Sequence, residues 1–260
     1  MKPRISFFLG AWILCASPAM AETLTLRVGY DDYCPYTCTG PDLKGFAVDM
    51  LEQVLASKDV KIQPVVASWK RIRAMAKKGY VDLILPLRDA EALEMGIPRT
   101  RESIGSLQAA YFVHKTSSWV YKGVESLNGQ VIAIMQGYTY IPPLSHYLAD
   151  SSNKKNIVTL TSDQGNHRHM KMLATQRVTV VPSDRLVFWF IARQLGLGTE
   201  FKEAGHVKLP LNSGDFYIGI TTRKKSLATD LAAWLDQGLA AMKQAHADRK
   251  ILKKYHLDDL

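Results

Sequence analysis

The sequence predicts an α/β protein of two similar lobes, each with a parallel-type sheet, joined by a hinge of two extended strands. Three observations predict this fold. Strand and helix patterns alternate in the first half of the chain, and the same order recurs in the second half. Two extended runs, "LQAAYFVHK" and "GDFYIGITTRK", lie between the halves and after the second half. The 260 residues, 47% of them hydrophobic, are enough to build the cores of two small domains.

The first half contains three strand patterns separated by two helix patterns. "TLTLRVGY" alternates apolar and polar residues, as a half-buried strand does, and apolar residues then recur at helical spacing from Phe46. "VKIQPVV" is a second strand. "SWKRIRAMAKKG" is a helix that Ser68 can cap and Gly79 can end. "VDLILPL" is a continuous apolar run, typical of a strand buried on both faces. This β-α-β-α-β order implies parallel strands with right-handed crossovers.

The second half repeats this order and is followed by two more helices. Its strand patterns are "QVIAIMQG", "NIVTLT" and "RVTVVPS", and its helix patterns are "IPPLSHYLAD", "DQGNHRHMKMLAT" and "DRLVFWFIARQLG". The closing helices are "SLATDLAAWLDQGLAAMKQ" and "DRKILKKY". We predict that residues 22–113 and 217–260 form the first lobe and that residues 114–216 form the second. A hinged cleft then lies between the lobes.

The first 21 residues have the pattern of a secretory signal peptide. Lys2 and Arg4 precede the apolar run "ISFFLGAWILCA", and the small-residue segment after it ends in an A-x-A pattern at Ala21. The alternatives are a retained membrane anchor and a lipoprotein modified at Cys15. Cleavage after Ala21 is the favoured interpretation, and it predicts an exported, periplasmic protein. No later stretch approaches the length of about 18 apolar residues that a membrane span needs.

Removal of the leader leaves Cys34 and Cys38 as the two cysteines of the chain. An even pair in an exported protein indicates a disulfide, and two cysteines four residues apart can meet within one turn. A lone C-x-x-x-C pair is a poor zinc site, and its spacing differs from the C-x-x-C of redox proteins. We therefore predict a local disulfide clip, with no metal site and no cofactor.

The charge and the histidines suggest no further chemistry. The formal net charge of +9 falls to +7 when Lys2 and Arg4 leave with the leader. The excess is scattered over polar helix faces, where it favours an anionic ligand or an acidic partner surface, and nothing resembles a nucleic-acid-binding module. His167 and His169 lie two positions apart and share no helix face, so we predict solvated side chains instead of metal ligands.

Candidate binding residues follow the predicted strands, because ligands of open parallel sheets bind beyond the carboxyl ends of the strands. A helix start and the cysteine turn supply the others. Five candidates have a structural alternative: helix capping for Asp184, a surface ion pair with Asp89 or Glu91 for Arg88, core packing for Trp69, and packing beneath the cysteine clip for Tyr30 and Tyr36. The candidates are Tyr30, Asp31, Tyr36, Trp69, Arg88, Gly137, Tyr138, Thr139 and Asp184.

Five segments carry a resemblance to a known family. "LKGFAVDMLEQV", "WKRIRAMAKKGYVDLIL", "LNGQVIAIMQGYT", "RVTVVPSD" and "FYIGITTRKKSLATDLAAWLDQGLAAMKQ…ILKKY" occur in this order and spacing. The chain thereby resembles the bacterial extracellular solute-binding proteins of family 3, the periplasmic receptors of polar amino-acid ABC importers. The resemblance covers nearly all of the mature chain. It implies the two-lobe periplasmic-binding-protein fold of type II.

The resemblance also implies ligand contacts, with one departure. The turn from Gln136 to Thr139 would meet a ligand carboxylate, and Asp184, seven residues after Arg177, would receive an α-ammonium group. Asp31 matches the wall of the first lobe. The family usually has a small-Thr/Ser segment followed by Pro-Glu-Arg, whose arginine clamps the α-carboxylate, and "LPLRDAEALEMGIP" has neither. Either Arg88 replaces that arginine or the ligand is not an ordinary α-amino acid.

The function implied by the resemblance is capture of a small polar ligand, an amino acid or related carboxylate, by hinge closure. The protein, expected to be a monomer, would deliver the ligand to an ABC permease in the inner membrane. One alternative is a binding module for sensing or for a redox system. Another is an enzyme similar to cyclohexadienyl dehydratases, with Asp31, Asp32 or Asp184 as the acid. The sequence has no G-x-S-x-G, H-E-x-x-H or phosphate-loop motif, and we predict a protein that is not an enzyme.

Overall fold

The computed structural model describes residues 23–161 and 165–257, so the predicted signal peptide lies outside the described residues. The strands in this part of the chain are β1 (Leu24–Tyr30), β2 (Val60–Val66), β3 (Leu83–Arg88), β4 (Gly105–Ser106), β5 (Ala109–His114), β6 (Ile132–Met135), β7 (Ile157–Leu160), β8 (Val181–Asp184), β9 (Phe201–His206) and β10 (Asp215–Ile220). The helices are α1 (Phe46–Leu55), α2 (Trp69–Lys77), α3 (Asp89–Met95), α4 (Leu144–Ala149), α5 (Gly165–Ala174), α6 (Arg185–Gln194), α7 (Lys225–Gln244) and α8 (Ala247–Lys254).

The first lobe is built on a sheet with the strand order β2-β1-β3-β10-β4. Strand β1 runs parallel to β2 and β3, as predicted, whereas β10 is antiparallel to β3 and β4. Helix α1 packs against the C-terminal helices α7 and α8, and α2 packs against β1 and β3. The C-terminal segment therefore belongs to the first lobe, which the chain leaves and re-enters.

The second lobe contains two smaller sheets. Strands β8, β5 and β9 form an antiparallel sheet, and β6 and β7 form a parallel pair. A parallel bridge between Ile132 and Val180 joins the two. The stacked rings of Phe112 and Phe188, whose centroids lie 3.7 Å apart, fill the core between β5 and α6.

The two extended runs join the lobes at slightly different points from those predicted. Strand β5 pairs with β8 and β9, so the chain has entered the second lobe by Ala109, before the predicted change at residue 113. Strand β10 pairs with β4 from Asp215 and with β3 from Phe216, before the predicted return at residue 217. Each run completes the sheet of the lobe it enters, because a strand satisfies its backbone N–H and C=O groups by pairing. Short segments near residue 107 and across 207–214 are left as the connections.

Helix α3 and strands β4 and β9 were not among the predicted elements. Helix α3 begins directly after β3 and ends at Gly96, which adopts a left-handed conformation. Its length of seven residues gives too short a periodic pattern for a confident assignment from sequence. This helix matters for the site, because it carries Glu91 into the cleft. No helix among residues 23–161 and 165–257 combines the length and the apolar character of a membrane span.

The segment between β1 and α1, residues 31–45, forms a loop held by the predicted disulfide. Cys34 and Cys38 are bonded, with their Cα atoms 4.6 Å apart. Inside the loop Tyr36 is fully buried, and Thr37 Oγ1 donates a hydrogen bond to the carbonyl oxygen of Asp31. The loop ends at Gly45, where φ is +97° and a Cβ atom would lie 2.3 Å from the Tyr36 carbonyl oxygen. We call this segment the clip loop.

Replacing Gly45 by alanine is expected to lower the free energy of unfolding by about 2–4 kcal/mol, through positive-φ strain and overlap with the Tyr36 carbonyl. Gly40 lies in the same loop, and a Cβ atom there would meet nothing within 4 Å. The matched variant Gly40→Ala should therefore unfold at nearly the same urea concentration as the unmodified protein. Urea denaturation followed by circular dichroism measures both, and equal effects at the two positions would contradict the strained turn.

Candidate binding cleft

The first-lobe side of the cleft is formed where β1 and β3 end. Asp31 follows β1, and Arg88 is the last residue of β3. Trp69 begins α2, and Glu91 lies in the first turn of α3. All four side chains are buried, including the ionisable ones. Buried charges need polar or charged partners, and the partners here come partly from the opposite lobe.

The second-lobe side is the turn that follows β6. Gly137 has φ +84°, and a Cβ atom there would lie 2.7 Å from the Cβ of Lys70 on α2. Glycine therefore lets this turn pack directly on a first-lobe helix. The next residue, Tyr138, donates a hydrogen bond from its hydroxyl to Asp31 Oδ2 at 2.7 Å. The turn predicted to contact a ligand thus also forms the contact between the lobes.

Thr139 makes two further bonds across the cleft. Its hydroxyl donates to Glu91 Oε1 at 3.0 Å, and its carbonyl oxygen accepts a hydrogen bond of 2.5 Å from Arg88 Nη2. A further bond between the lobes joins Asn166 Nδ2 to the carbonyl oxygen of Asp32, which accepts it at 3.3 Å. Polar groups of both lobes therefore satisfy one another directly.

Glu91 organises the first-lobe wall. Its Oε1 accepts a bond of 3.0 Å from Trp69 Nε1 in addition to the one from Thr139. Its Oε2 accepts the backbone N–H of Arg88 at 3.1 Å and lies 4.0 Å from Arg88 Nε. The alternative prediction for Arg88 was a surface ion pair with Asp89 or Glu91. The side chains of Arg88 and Glu91 are instead buried in the cleft. Asp89, the other suggested partner, pairs with Arg99 instead.

Asp184 caps helix α6 and also faces the cleft. Its Oδ1 accepts the backbone N–H groups of Leu186 and Val187, at 2.8 and 3.2 Å. Its Oδ2 accepts the N–H of Gln108 at 3.0 Å and, at 3.4 Å, the hydroxyl of Tyr36. Burial raises the pKa of Asp184 to about 6, although these bonds oppose the rise. The capping alternative is thus present together with a position on the cleft wall.

Asp31 has fewer partners. Its carboxylate accepts the Tyr138 hydroxyl, and the side chains around it include the acidic residues Asp32 and Glu91. Burial raises the pKa of Asp31 to about 7, and the Tyr138 bond only partly opposes the rise. A buried carboxylate in this environment gains strongly from a cationic partner.

Two adjoining cavities lie between the lobes. The Asp31 cavity, of about 70 Å³, is lined by Asp31, Trp69, Arg88, Glu91 and aromatic residues. The Asp184 cavity, of about 80 Å³, is lined by Asp184 and residues of the second lobe. Four residues line both cavities: Tyr33, Leu107, Tyr138 and Thr139.

The predicted site residues divide into two groups. The cavities bring together the following six: Asp31, Trp69, Arg88, Tyr138, Thr139 and Asp184. Tyr30 and Tyr36 are buried in the core and Gly137 contacts α2, and none of the three lines either cavity. Sequence reasoning missed Tyr33 and Phe216 as wall residues. Tyr33 sits in the clip loop, and its position beside Asp31 was the one available signal.

The histidine prediction is wrong for His169. This side chain is buried on α5 and lines the Asp184 cavity, whereas solvent exposure was expected. Burial lowers the pKa of His169 to about 4, so the imidazole is neutral at physiological pH. Helix α5 turns this position towards the second-lobe core, which two-residue spacing alone does not reveal. Among the residues described, no group of three or more His, Cys, Asp or Glu side chains could hold a metal ion.

Comparison with known proteins identifies the class. The fold and the cleft between two lobes define a ligand-binding protein of the periplasmic type. The model of the bacterial extracellular solute-binding proteins, family 3, matches residues 26–258, and the chain belongs to this family. A curated relative from Vibrio harveyi, named "Putative amino-acid ABC transporter-binding protein PatH", is 29% identical over 164 residues. The match covers 61% of this chain and 63% of that protein.

Solved structures confirm the fold. An ancestral arginine-binding protein bound to arginine is 18% identical, with a TM-score of 0.70 over 89% of this chain and 97% of that one. The solute receptor for L-cysteine of Neisseria gonorrhoeae is 18% identical, with a TM-score of 0.67 over 89% of each chain. A histidine kinase sensor domain similar to periplasmic binding proteins is also 18% identical, with a TM-score of 0.69 over 89% and 95%.

Proposed function

We propose that this solute-binding protein captures a small polar ligand, an amino acid or related carboxylate, between its lobes and delivers it to an ABC importer. The observation that carries the proposal is the pair of adjoining cavities, lined from both lobes by buried ionisable and aromatic side chains. Small-molecule sites are concave and mostly apolar, with a few placed polar groups, and they favour domain interfaces. Family membership supports the same role.

The mechanism we propose is hinge closure about the two connections between the lobes. Opening separates Tyr138 and Thr139 from Asp31 and Glu91, and it exposes these carboxylates to solvent. A ligand favours the closed form only by its differential affinity for that form. The residues that contact both the ligand and the opposite lobe therefore convert binding into closure.

We assign the candidate roles from the geometry. Asp31 and Asp184 would accept ammonium or other donor groups, and Arg88 would contribute a guanidinium to the wall. Tyr138 and Thr139 would close over the ligand, and Trp69 would form an apolar wall. Gly137 would allow the turn to approach α2, while Tyr30 and Tyr36 would support the wall from behind.

We further propose that the protein works as a monomer in the periplasm and binds its ligand without converting it. The name of the family, extracellular solute-binding proteins, supports an exported location. Permease and ATPase genes beside the gene for this chain would support delivery to an importer, and their absence would favour sensing. Turnover of a prephenate-like compound would contradict the proposal of binding without catalysis.

Ligand binding is expected to raise the melting temperature of the chain from residue 22 and to reduce its radius of gyration in X-ray scattering. We expect Tyr138→Phe to weaken binding about 10-fold, because closure then loses a hydrogen bond to a buried carboxylate. Tyr80→Phe, at an exposed position of the first lobe, is the matched control. A thermal-shift screen of amino acids, carboxylates and amines in which nothing raises the melting temperature would contradict the proposed function.

A further inference from the structure

We propose that the cleft is built for a small organic dication of the aliphatic diamine type, in which no carboxylate is required. This inference rests on the proposed solute-binding function and assigns it a small polar ligand outside the amino acids and carboxylates named above. In this arrangement the carboxylate of Glu91 pairs with Arg88, so the ligand need not supply a carboxylate for that arginine. Asp31 and Asp184 then each receive one positively charged group.

The first argument is the state of Arg88. Its Nε lies 4.0 Å from Glu91 Oε2, and its Nη2 donates to the carbonyl oxygen of Thr139. Glu91 in turn accepts three hydrogen bonds, from Trp69, Thr139 and the Arg88 backbone. The Glu91 carboxylate thus already pairs with the guanidinium by charge, and the carbonyl oxygen of Thr139 takes one of its donors. Because Glu91 already neutralises this buried guanidinium, a second carboxylate from a ligand gains less here than beside an unpaired arginine.

The second argument is the balance of charge around the two cavities. Three carboxylates line them, from Asp31, Glu91 and Asp184, against a single guanidinium from Arg88. Glu91 and Arg88 form a pair, and His169 is neutral. Within the described ranges, no lysine, arginine or histidine forms an ion pair with Asp31 or Asp184, whose hydrogen bonds come from neutral hydroxyl and N–H groups. Each cavity therefore contains one buried carboxylate that lacks a cation.

The third argument is the aromatic wall. The ring of Tyr33 lies edge-on to Tyr138, with centroids 5.8 Å apart, and edge-on to Phe216, at 6.1 Å. Together with Trp69, these rings surround the Asp31 cavity. Aromatic faces attract ammonium groups, most strongly where water is excluded, and they pack against a methylene chain. Carboxylates at the two cavities with aromatic walls between them match a short chain with an ammonium group at each end.

Isothermal titration calorimetry on the chain from residue 22 tests the proposal with four compounds. These are 1,5-diaminopentane, lysine, norleucine and glutamate. Lysine differs from the diamine by the added carboxylate, and norleucine lacks the side-chain ammonium of lysine. We expect the diamine to bind at least as tightly as lysine, and both to bind at least 10-fold more tightly than norleucine and glutamate. Tighter binding of lysine, norleucine or glutamate than of the diamine would overturn the inference while leaving the solute-binding function intact.

Two variants separate the roles of the carboxylates. Asp31→Asn should weaken diamine binding at least 10-fold, whereas Asp32→Asn, which removes a neighbouring charge outside both cavities, should change it by less than 3-fold. Glu91→Gln should shift the lysine-to-diamine affinity ratio about 10-fold towards lysine, because Arg88 then lacks its carboxylate. An unchanged ratio in a folded Glu91→Gln protein would overturn the inference. If that variant does not fold, equal effects of the two aspartate variants would overturn it.

Failure of the function and failure of the inference give different results. If no compound in the calorimetry and in the wider thermal-shift screen binds, the solute-binding proposal falls and the inference falls with it. If only compounds with a carboxylate bind, the inference alone is overturned.

Discussion

Replacing Glu91 by alanine is expected to lower the free energy of unfolding by about 3–5 kcal/mol, because it breaks a buried charge pair from one side. The side chain is 5% exposed and accepts hydrogen bonds from three donors. Its loss leaves the indole N–H of Trp69, the hydroxyl of Thr139 and the buried guanidinium of Arg88 without their partner. Unsatisfied buried donors and an unpaired buried charge are among the most destabilising changes a protein can suffer.

Glu94, one turn further along α3, provides the matched control. Its side chain is 57% exposed and pairs with Arg73. Because exposed ion pairs contribute little, Glu94→Ala should change the free energy of unfolding by less than about 1 kcal/mol. Urea denaturation followed by tryptophan fluorescence measures both variants. Similar losses for Glu91→Ala and Glu94→Ala would contradict the network described around Glu91.

The second large effect concerns pH. Affinity for a cationic ligand is expected to fall on the order of 20-fold between pH 7.5 and 5.5, because Asp31 must be ionised to pair with a cation and burial raises its pKa to about 7. The groups facing Asp31 are Tyr138, Tyr33, Asp32 and Glu91. The tyrosines stay neutral over this range, since burial also raises their pKa values. The predicted fall follows the titration of Asp31, and Asp184, whose pKa burial raises to about 6, adds a smaller fall of the same sign.

The raised pKa of Asp31 has the opposite effect on the stability of the ligand-free protein, which falls as the pH rises. The folded protein holds a proton on Asp31 up to about pH 7, whereas the unfolded chain releases it near its ordinary pKa of 3.8. This contribution to stability is full below that value and is lost as the pH rises towards 7. Asp184, with a pKa raised to about 6, acts in the same direction.

Calorimetry at pH 5.5, 6.5 and 7.5 and urea denaturation across pH 4–7.5 check both signs. The Asp31→Asn protein should lose most of the pH dependence of residual ligand binding. Its stability should also exceed that of the unmodified protein at pH 7.5, since position 31 then carries no carboxylate that must ionise while buried. An affinity that rises as the pH falls would contradict the role of Asp31.

Much of the fold could be predicted from the sequence, because its regular elements carry clear periodic patterns. The strand "VDLILPL" is fully buried from Leu83 to Arg88, and the helix assigned from Phe46 buries its apolar face. What the patterns could not reveal was pairing direction in the extended runs, which depends on the sheet each run joins. Helix α3 was missed for a different reason: it spans seven residues, too few for a periodic pattern.

The site was predictable in position but less so in detail. Asp31 follows a strand and Arg88 and Asp184 end one, and the rule for parallel sheets predicted such positions at the cleft. The partner of Arg88 could not be deduced in the same way, because Glu91 enters the cleft only through the unpredicted α3. Tyr33 is one of two tyrosines in the clip loop, and no sequence pattern distinguishes the one that lines the cavity. Contacts between lobes depend on tertiary geometry that local patterns do not contain.

If the lobes move by the proposed hinge closure, we expect Tyr36 to influence which cleft contacts change first. Its hydroxyl donates to the carbonyl oxygen of Ser106, next to one connection between the lobes, and lies 3.4 Å from Asp184. Atoms near a rotation axis travel little, so Asp184 should keep its surroundings while Tyr138 swings away from Asp31. An arriving molecule would then meet Asp184 first and gain Asp31 and Tyr138 together in the final step. The association rate should depend mainly on Asp184, and the residence time on the outer pair.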